Sequence, residues 1–476
     1  MFAALILAGL ALVARAATPP IVPVERVPDR PNVVLVVVDD LGSADFGCCG
    51  GSTPTPAVDR LAAGGTRFTQ AYAAAPVCSP SRAALLTGRS PAALRITDWI
   101  PGDHPAGMPL ETPRTATALP AGVPTVATAL RTAGYRTASI GKWHLGGAGS
   151  LPTDHGFDVN LFGSEAGQPS SYRFPFGKGA GDFWQVRPLP ADAKAGDELT
   201  DLQAREAARF IEQSSRDGKP FFLYLPLFAV HAPLDAPYAT MVARVDAAVA
   251  RVLAALDDMG ESGRTLVIVT GDNGGVERVG SNGTLRGFKG TLWEGGIRVP
   301  LVVRWPGVTK AGTRSDAPTV GQDLAATVLD AAGVPALAAV PGDVPARSLR
   351  APIQAAAAGS AHPAGWDDRA LLWHYPHYHT ATRPPMTALR EGNWKLVRFD
   401  GTDRVALHDL AADPDERTDL AARDPARATA MAATMDLMLA AIDAPRARRP
   451  AGRVDAPGTA PVTSPSAPAS RPPAGT

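Results

Sequence analysis

Apolar positions along the chain gather in short unbroken runs rather than alternating with polar ones. Asn32 to Val38 reads NVVLVVV and Leu266 to Thr270 reads LVIVT, with similar runs at Phe221 to Leu225 and Leu301 to Val303. Aliphatic runs without alternation are how strands buried on both faces read. Between them lie stretches with helical spacing: Thr125 to Ala133, Asp201 to Gln213 and Met241 to Met259. Strands alternating with helices predict an α/β fold, a large and mostly parallel sheet covered by helices on both sides. After about residue 365 the pattern changes. Ala388 to Arg390 and Trp394 to Phe399 read as short strands joined by Glu391-Gly392-Asn393, and a last helix runs from about Pro425 to Ile442. The organisation predicted is an α/β domain over 18–365 and a smaller α+β subdomain over 366–444.

The two ends read differently. Phe2 to Val13, FAALILAGLALV, is apolar but too short to span a bilayer, and Ala14-Arg15-Ala16 follows as an A-x-A cleavage site. No Lys or Arg precedes the apolar run. The segment 1–17 is predicted as an export signal, the other reading being a buried first helix. The mature chain is then periplasmic or secreted, with no stable membrane insertion. From Pro445 onward Pro, Ala, Ser, Thr and Arg dominate, with five Arg against one Asp. Such a segment buries too little apolar surface to offset its ordering entropy, so 445–476 is predicted to be a disordered tail.

Composition narrows the function classes. The chain of 476 residues is 45% hydrophobic and 19% charged, which excludes a mainly disordered protein. Lys plus Arg is 46 and Asp plus Glu is 46, so no electrostatic case exists for a nucleic-acid binder. The three Cys are Cys48, Cys49 and Cys78. Adjacent Cys48 and Cys49 do not easily pair, and the odd count leaves a thiol over.

Acidic residues sit where two predicted core strands end. The first strand runs into Asp39-Asp40, and the Leu266 strand into Gly271-Asp272-Asn273-Gly274. Ligands of open parallel sheets bind beyond the carboxyl ends of the strands. Oxygen ligands clustered there suit Ca²⁺ or Mg²⁺ rather than a thiophilic ion. Either pair alone is equally well read as turn and capping residues; together, on one edge, they favour a metal.

The most specific segment is Cys78-Ser79-Pro80-Ser81-Arg82, followed by Ala83-Ala84-Leu85-Leu86-Thr87-Gly88-Arg89. It resembles the signature of type I, formylglycine-dependent sulfatases of the alkaline phosphatase superfamily. Gly134 to Gly146, GYRTASIGKWHLG, resembles the family's second signature, and the resemblance runs from about Pro31 to Leu420. It implies an alkaline-phosphatase-like fold and hydrolysis of sulfate esters. It also implies conversion of Cys78 to formylglycine (3-oxoalanine) by a formylglycine-generating enzyme or equivalent maturase. A hydrated aldehyde there offers two hydroxyls, one to attack sulfur and one whose deprotonation restores the aldehyde and expels sulfate. The site precedes a helix expected from near Ser81, whose N-terminus favours anions.

The same resemblance implies the remaining roles. Asp39, Asp40, Asp272 and Asn273, with residue 78, match ligands of one Ca²⁺. Arg82 matches the residue that holds the formylglycine hydroxyl, and Lys142 and Lys289 match sulfate-binding cations. His144 matches a residue that helps regenerate the aldehyde, and His231 the general acid for the leaving oxygen. Taken singly, the two Lys read as surface residues and the two His as structural ones. Trp373-His374-Tyr375-Pro376-His377-Tyr378-His379 stands apart. It reads as a rim where His374, His377, His379 and the Tyr faces meet a sugar, as a purely structural loop, or, least of all, as a zinc site. A phosphodiesterase or phosphonate monoester hydrolase of the same superfamily, and an unconverted sulfated-glycan binder, are the alternatives to a sulfatase.

Overall fold

The computed structural model describes residues 30–450, apart from Ala180 and Ala381. The predicted signal segment 1–17 and residues 451–476 of the predicted tail lie outside the described residues. In chain order the first half carries β1 (Asn32–Val38), α1 (Pro56–Ala63), β2 (Thr66–Phe68), β3 (Ala71–Tyr72), α2 (Cys78–Thr87), α3 (Pro91–Leu94), α4 (Val126–Thr132), β4 (Arg136–Ile140), β5 (Val159–Leu161) and α5 (Leu199–Arg216). There follow β6 (Phe221–Leu227), α6 (Tyr238–Asp258), β7 (Thr265–Gly271), α7 (Glu294–Ile297), β8 (Leu301–Arg304), β9 (Thr313–Ser315), β10 (Thr319–Val320), α8 (Gln322–Ala331) and α9 (Arg350–Ala358). The C-terminal part holds β11 (Leu371–Tyr375), β12 (Met386–Glu391), β13 (Trp394–Phe399), β14 (Val405–Asp409) and α10 (Pro425–Ala441).

The large sheet has the order β5-β4-β6-β1-β7-β8-β2-β9. From β5 to β7 every pairing is parallel; β8 then runs antiparallel to both β7 and β2. The strand at Leu301 is therefore correctly placed by its composition, but its direction is reversed relative to the parallel core.

The unbroken apolar runs have a plain cause. Alternate residues of a strand face opposite sides, and both sides of β1 are covered. Val33, Leu35 and Val37 join a core with Leu85 of α2, Leu130 of α4 and Leu324 of α8. Val34, Val36 and Val38 join the opposite core with Val58 of α1, Phe210 of α5 and Val245 of α6. Each such side chain contributes about 1.5–3 kcal/mol on burial, so a polar residue on either face would be costly.

The antiparallel sheet β11-β12-β13-β14 packs with α10 in a third core, which also takes in Tyr72, Val77 and Ala84 of the larger unit. The Trp373 indole of β11 donates to Ala73 O at 2.8 Å. The start of the predicted tail is ordered: Glu111 and Arg448 exchange backbone hydrogen bonds, and Pro445 O pairs with His374 Nε2 at 2.8 Å. Among the described residues no helix is long and apolar enough to cross a membrane.

Candidate active site

Four neighbouring parallel strands, β4, β6, β1 and β7, end at one edge of the sheet. β1 delivers Asp39 and Asp40, and β7 delivers Asp272 and Asn273. β4 runs into Lys142 and His144, and β6 into the turn that carries His231. Backbone bonds lace these ends together: Asp39 N to Ala229 O, Val230 N to Asp39 O, Asp272 N to Val38 O and Lys142 N to Pro226 O. Asp40 and His144 adopt left-handed φ of 58° and 57°, which non-glycine residues seldom do and which recurs at functional sites.

Cys78 opens α2, three residues before the predicted start, and is buried above this edge. Its thiol lies 3.4 Å from Asp39 Oδ1 and 3.6 Å from Lys289 Nζ. Burial first, then the Asp39 carboxylate, pushes the thiol up to about 12. A thiol so placed is not ionised at neutral pH and is a poor nucleophile as it stands.

Three carboxylates face three cations. Lys142 Nζ lies 2.6 Å from Asp39 Oδ2, and Lys289 Nζ lies 2.6 Å from Asp40 Oδ1. Arg82 grips Asp272 through Nε and Nη2, both at 2.9 Å, and its Nη1 donates to Lys142 O at 3.1 Å. His231 Nε2 is 3.5 Å from Asp40 Oδ2, while Nδ1 pairs with Ala232 O at 3.0 Å. Burial pushes the His231 imidazole down to about 3 despite Asp40. Burial, reinforced by Lys142, also holds His144 well below the usual histidine range.

The carboxylates and the Asn273 oxygen at this edge fit a hard cation. Asp39, Asp40, Cys78 and His231 place ligand atoms within 4.8 Å of one another. Asn273 donates through Nδ2 to Asp40 Oδ1 at 2.8 Å, and its Oδ1 is buried without a hydrogen-bond partner. A buried acceptor left over beside three carboxylates is what an oxygen-ligated ion would take. Burial, reinforced by the Asp39 charge, pushes Asp272 up to about 6.

These features place Cys78, in its motif, at the meeting point of four strand ends. A family model described as Sulfatase matches residues 31–334. The chain belongs to the sulfatase family. A second model of the family, N-sulphoglucosamine sulphohydrolase C-terminal, matches residues 287–443, which include the whole antiparallel sheet. Steryl-sulfatase of Homo sapiens is 32% identical over 396 residues, covering 64% of this chain and 67% of that protein. N-acetylgalactosamine-6-sulfatase of Sus scrofa is 35% identical over 343 residues, covering 64% of this chain and 63% of that protein. The chain thus matches about two thirds of the length of these curated relatives. The solved structure of Ps i-CgsB in complex with k-i-k-neocarrahexaose superposes with a TM-score of 0.71 at 28% identity, covering 86% of this chain and 92% of that one. The sulfatase fold here is alkaline-phosphatase-like, as the motifs implied.

The aromatic–histidine run does not form the exposed rim expected of it. β11 pairs with β12 and packs onto the larger unit, which buries the segment. His374 pairs with Thr387 Oγ1 and Pro445 O, both at 2.8 Å. His377 is fully buried, with Nε2 2.8 Å from Thr97 Oγ1. The Tyr375 hydroxyl donates to Asp98, and the Tyr378 hydroxyl accepts from Leu110 N, so neither ring is an open stacking face. His379 differs. Its ring lies against Gly290, where an added Cβ would come within 2.1 Å of it, so it borders the backbone that carries Lys289. Sequence reasoning passed over Ser79 and Ile100. The Ser79 hydroxyl donates to His144 O at 2.9 Å and accepts from Ile100 N at 3.0 Å, and His144 Nε2 pairs with Ile100 O at 2.6 Å. Nothing in the spacing of those residues signals that they meet.

Proposed function

We propose that this chain is an exported, Ca²⁺-dependent sulfatase that hydrolyses sulfate esters of carbohydrates at formylglycine formed from Cys78. The observation that carries the reading is the meeting of Cys78, in Cys-x-Pro-Ser-Arg, with three carboxylates, three cations and an unpartnered Asn273 oxygen. Asp39, Asp40, Asp272 and Asn273 would hold the ion together with residue 78. Bound there, Ca²⁺ would draw charge from a sulfate oxygen and favour an ionised hydroxyl at residue 78. Maturation of Cys78 would supply the two hydroxyls of a hydrated aldehyde.

The chain's own side chains have the following parts. Lys142 and Lys289 neutralise Asp39 and Asp40; once a dication shares those carboxylates, both ammoniums are free to hold sulfate oxygens. Arg82 keeps Asp272 oriented and would hold a hydroxyl of the matured residue 78. His144 donates Nε2–H to Ile100 O, which leaves Nδ1 as the nitrogen able to take a proton. His231 presents Nε2 beside Asp40 and would serve as the acid for the leaving oxygen once that nitrogen takes up a proton.

The carbohydrate part is supported by relatives whose names carry sugars, N-acetylgalactosamine-6-sulfatase and the structure with neocarrahexaose. Export is supported by the apolar segment ahead of Ala14-Arg15-Ala16. Intact mass at position 78, with turnover on sulfated monosaccharides, an aryl sulfate and a matching phosphate ester, tests the reading. Sulfate turnover with aldehyde in place of thiol is expected. Preference for the phosphate ester would make the chain a phosphoester hydrolase, and an unmodified thiol without turnover would make it a glycan binder.

A further inference from the structure

The segment 97–103 passes beneath the catalytic groups without contributing a side chain to them. Its Ile100 nevertheless touches both halves of the centre. The carbonyl receives His144 Nε2 at 2.6 Å, and the N–H reaches the hydroxyl of Ser79, the residue after Cys78, at 3.0 Å. His144 Nδ1 is buried and has no hydrogen-bond partner. Which His144 nitrogen carries the proton is therefore set by where the Ile100 carbonyl lies.

What holds that carbonyl is a buried carboxylate two residues upstream. Asp98 Oδ1 accepts Trp99 N–H and the Tyr375 hydroxyl, both at 2.9 Å. Its Oδ2 accepts Asp103 N–H at 3.4 Å and lies 3.7 Å from His377 Nδ1. One side chain thus closes the loop from residue 98 to residue 103 around Ile100. The backbone N–H groups of Thr97 and Asp98 both donate to Thr115 Oγ1, at 3.1 and 3.2 Å. His377 Nε2 pairs with Thr97 Oγ1, and His104 lies across the His377 ring with centroids 6.5 Å apart.

We propose that Asp98, held from the second sheet by Tyr375, is a positioning residue for His144. It keeps the Ile100 carbonyl on Nε2–H, so that Nδ1 stays the basic nitrogen. The inference rests on the proposed role of His144 as the proton acceptor. Taking an ionised carboxylate out of water is costly, and burial pushes Asp98 up to about 7 even with three hydrogen bonds drawing it down. The groups around it are Tyr375 and His377 on the C-terminal side, Asp103 and His104 on its own segment, and Thr115. Burial holds His377 down at about 3, so it meets Asp98 as a neutral ring rather than as a cation. The aromatic–histidine run therefore serves the reaction from behind, through the loop under His144, rather than by touching substrate.

Two substitutions test this in the matured, Ca²⁺-loaded protein. Asp98→Asn puts an amide donor where an acceptor of N–H groups is needed, and Tyr375→Phe removes a single hydroxyl. With a small aryl sulfate, Asp98→Asn is expected to lower kcat by about tenfold or more while KM stays within about twofold, as loss of an oriented base requires. Tyr375→Phe should change kcat in the same direction by less. NMR of ring-nitrogen-labelled histidine, with His144 assigned by its own substitution, should show the Nε2–H form in the parent. It should show a mixture of tautomers in Asp98→Asn, with metal content and Tm close to the parent. Unchanged kcat, or lost activity with the His144 signals unchanged, would overturn the proposal. Should Asp98→Asn fail to fold, Tyr375→Phe gives the same two readouts. The ring signals do not depend on turnover, so a parent inactive on sulfate esters would sink the proposed function and leave the positioning decided by NMR.

Discussion

Two buried clusters of charge invite comparison. At the strand ends, Asp39, Asp40 and Asp272 face Arg82, Lys142 and Lys289. Between the two sheets, Glu294 and Glu416 share Lys395, whose Nζ lies 2.9 Å from each, and Arg298 and the Tyr72 hydroxyl also hold Glu294. Both are buried apart from the partly exposed Lys289 and Arg298, and both would pass as a site if acidic and basic residues were simply counted. They differ in where the leftover atoms point. In the inter-sheet cluster Glu416 Oε1 makes no hydrogen bond but still faces Lys395 Nζ at 2.9 Å, and Glu416 Oε2 accepts Glu294 N–H at 2.6 Å, locking α7 to the loop after β14. The strand-end cluster leaves Asn273 Oδ1 and His144 Nδ1 without partners, bends two residues into left-handed backbone and surrounds a thiol. Unspent polar atoms that converge on one point separate a reactive centre from a structural one.

The largest effect that tests this contrast is at the thiol. Cys78→Ala, or Cys78→Ser, is expected to lower steady-state turnover by at least about a thousandfold, since a nucleophile and its partners act as one unit. Thermal unfolding should stay near the parent, because the side chain is small and already above the edge of the sheet. Parent-like rates in Cys78→Ser would remove the need for two hydroxyls at this position.

Metal removal comes next. Exhaustive chelation is expected to abolish turnover, and added Ca²⁺ to restore it. Asp272→Ala should lose bound metal and activity together, and it also removes the carboxylate nearest Arg82. Full activity in protein that metal analysis shows to be ion-free would contradict the ligand assignment.

The inter-sheet cluster should respond in the opposite way. Lys395→Met leaves two buried carboxylates without their shared cation, which is expected to cost about 3–5 kcal/mol of stability by urea unfolding. Activity per folded molecule should survive, because Lys395 lies apart from the strand-end residues. Lys142→Met should do the reverse, with activity lost and, in the Ca²⁺-loaded protein, stability nearly unchanged. If both substitutions destabilise alike, the distinction between the clusters fails.

The contrast also explains what could be read from the sequence. β1 was legible from NVVLVVV and β13 from Trp394 to Phe399, because both sides of β1 and much of β13 are buried and composition follows burial. β2, β5 and β9 have three residues each, too few for any period to emerge. The reversal of β8 leaves no trace in residue type. At the site, the residues inside motifs were legible, since their chemistry and spacing are local. For His374 and His377 the rim and structural-loop readings could not be separated, because residue type shows what a side chain can do, not whether water reaches it. Their burial follows from the pairing of β11 with β12 and from the Trp373 ring lying 5.1 Å from Tyr72, contacts far apart in the chain. Asp98 was invisible for the same reason: its partner Tyr375 comes from the other sheet.

The smallest expected effect concerns Glu416 and pH. Burial, outweighing the pull of Lys395, pushes its carboxyl up to about 7 from an ordinary 4.5. Burial would raise Glu294 too, yet Lys395, Arg298 and Arg390 together hold it well below the carboxylate range, so the charge of the pair rests on Glu294. Between about pH 4.5 and pH 7 the folded protein then keeps a proton on Glu416 that the unfolded chain has lost. Where the native state binds more protons, stability falls as pH rises, here by on the order of 1 kcal/mol per pH unit at most. Above that window the contribution is flat, and below it the group is protonated in both states. Glu416→Gln imitates the protonated form and should remove this slope while leaving the others in place. Denaturant unfolding of parent and variant across the window measures the difference. Equal slopes in the two proteins would mean that Glu416 is ionised in the fold throughout, and that Lys395 balances both carboxylates rather than one.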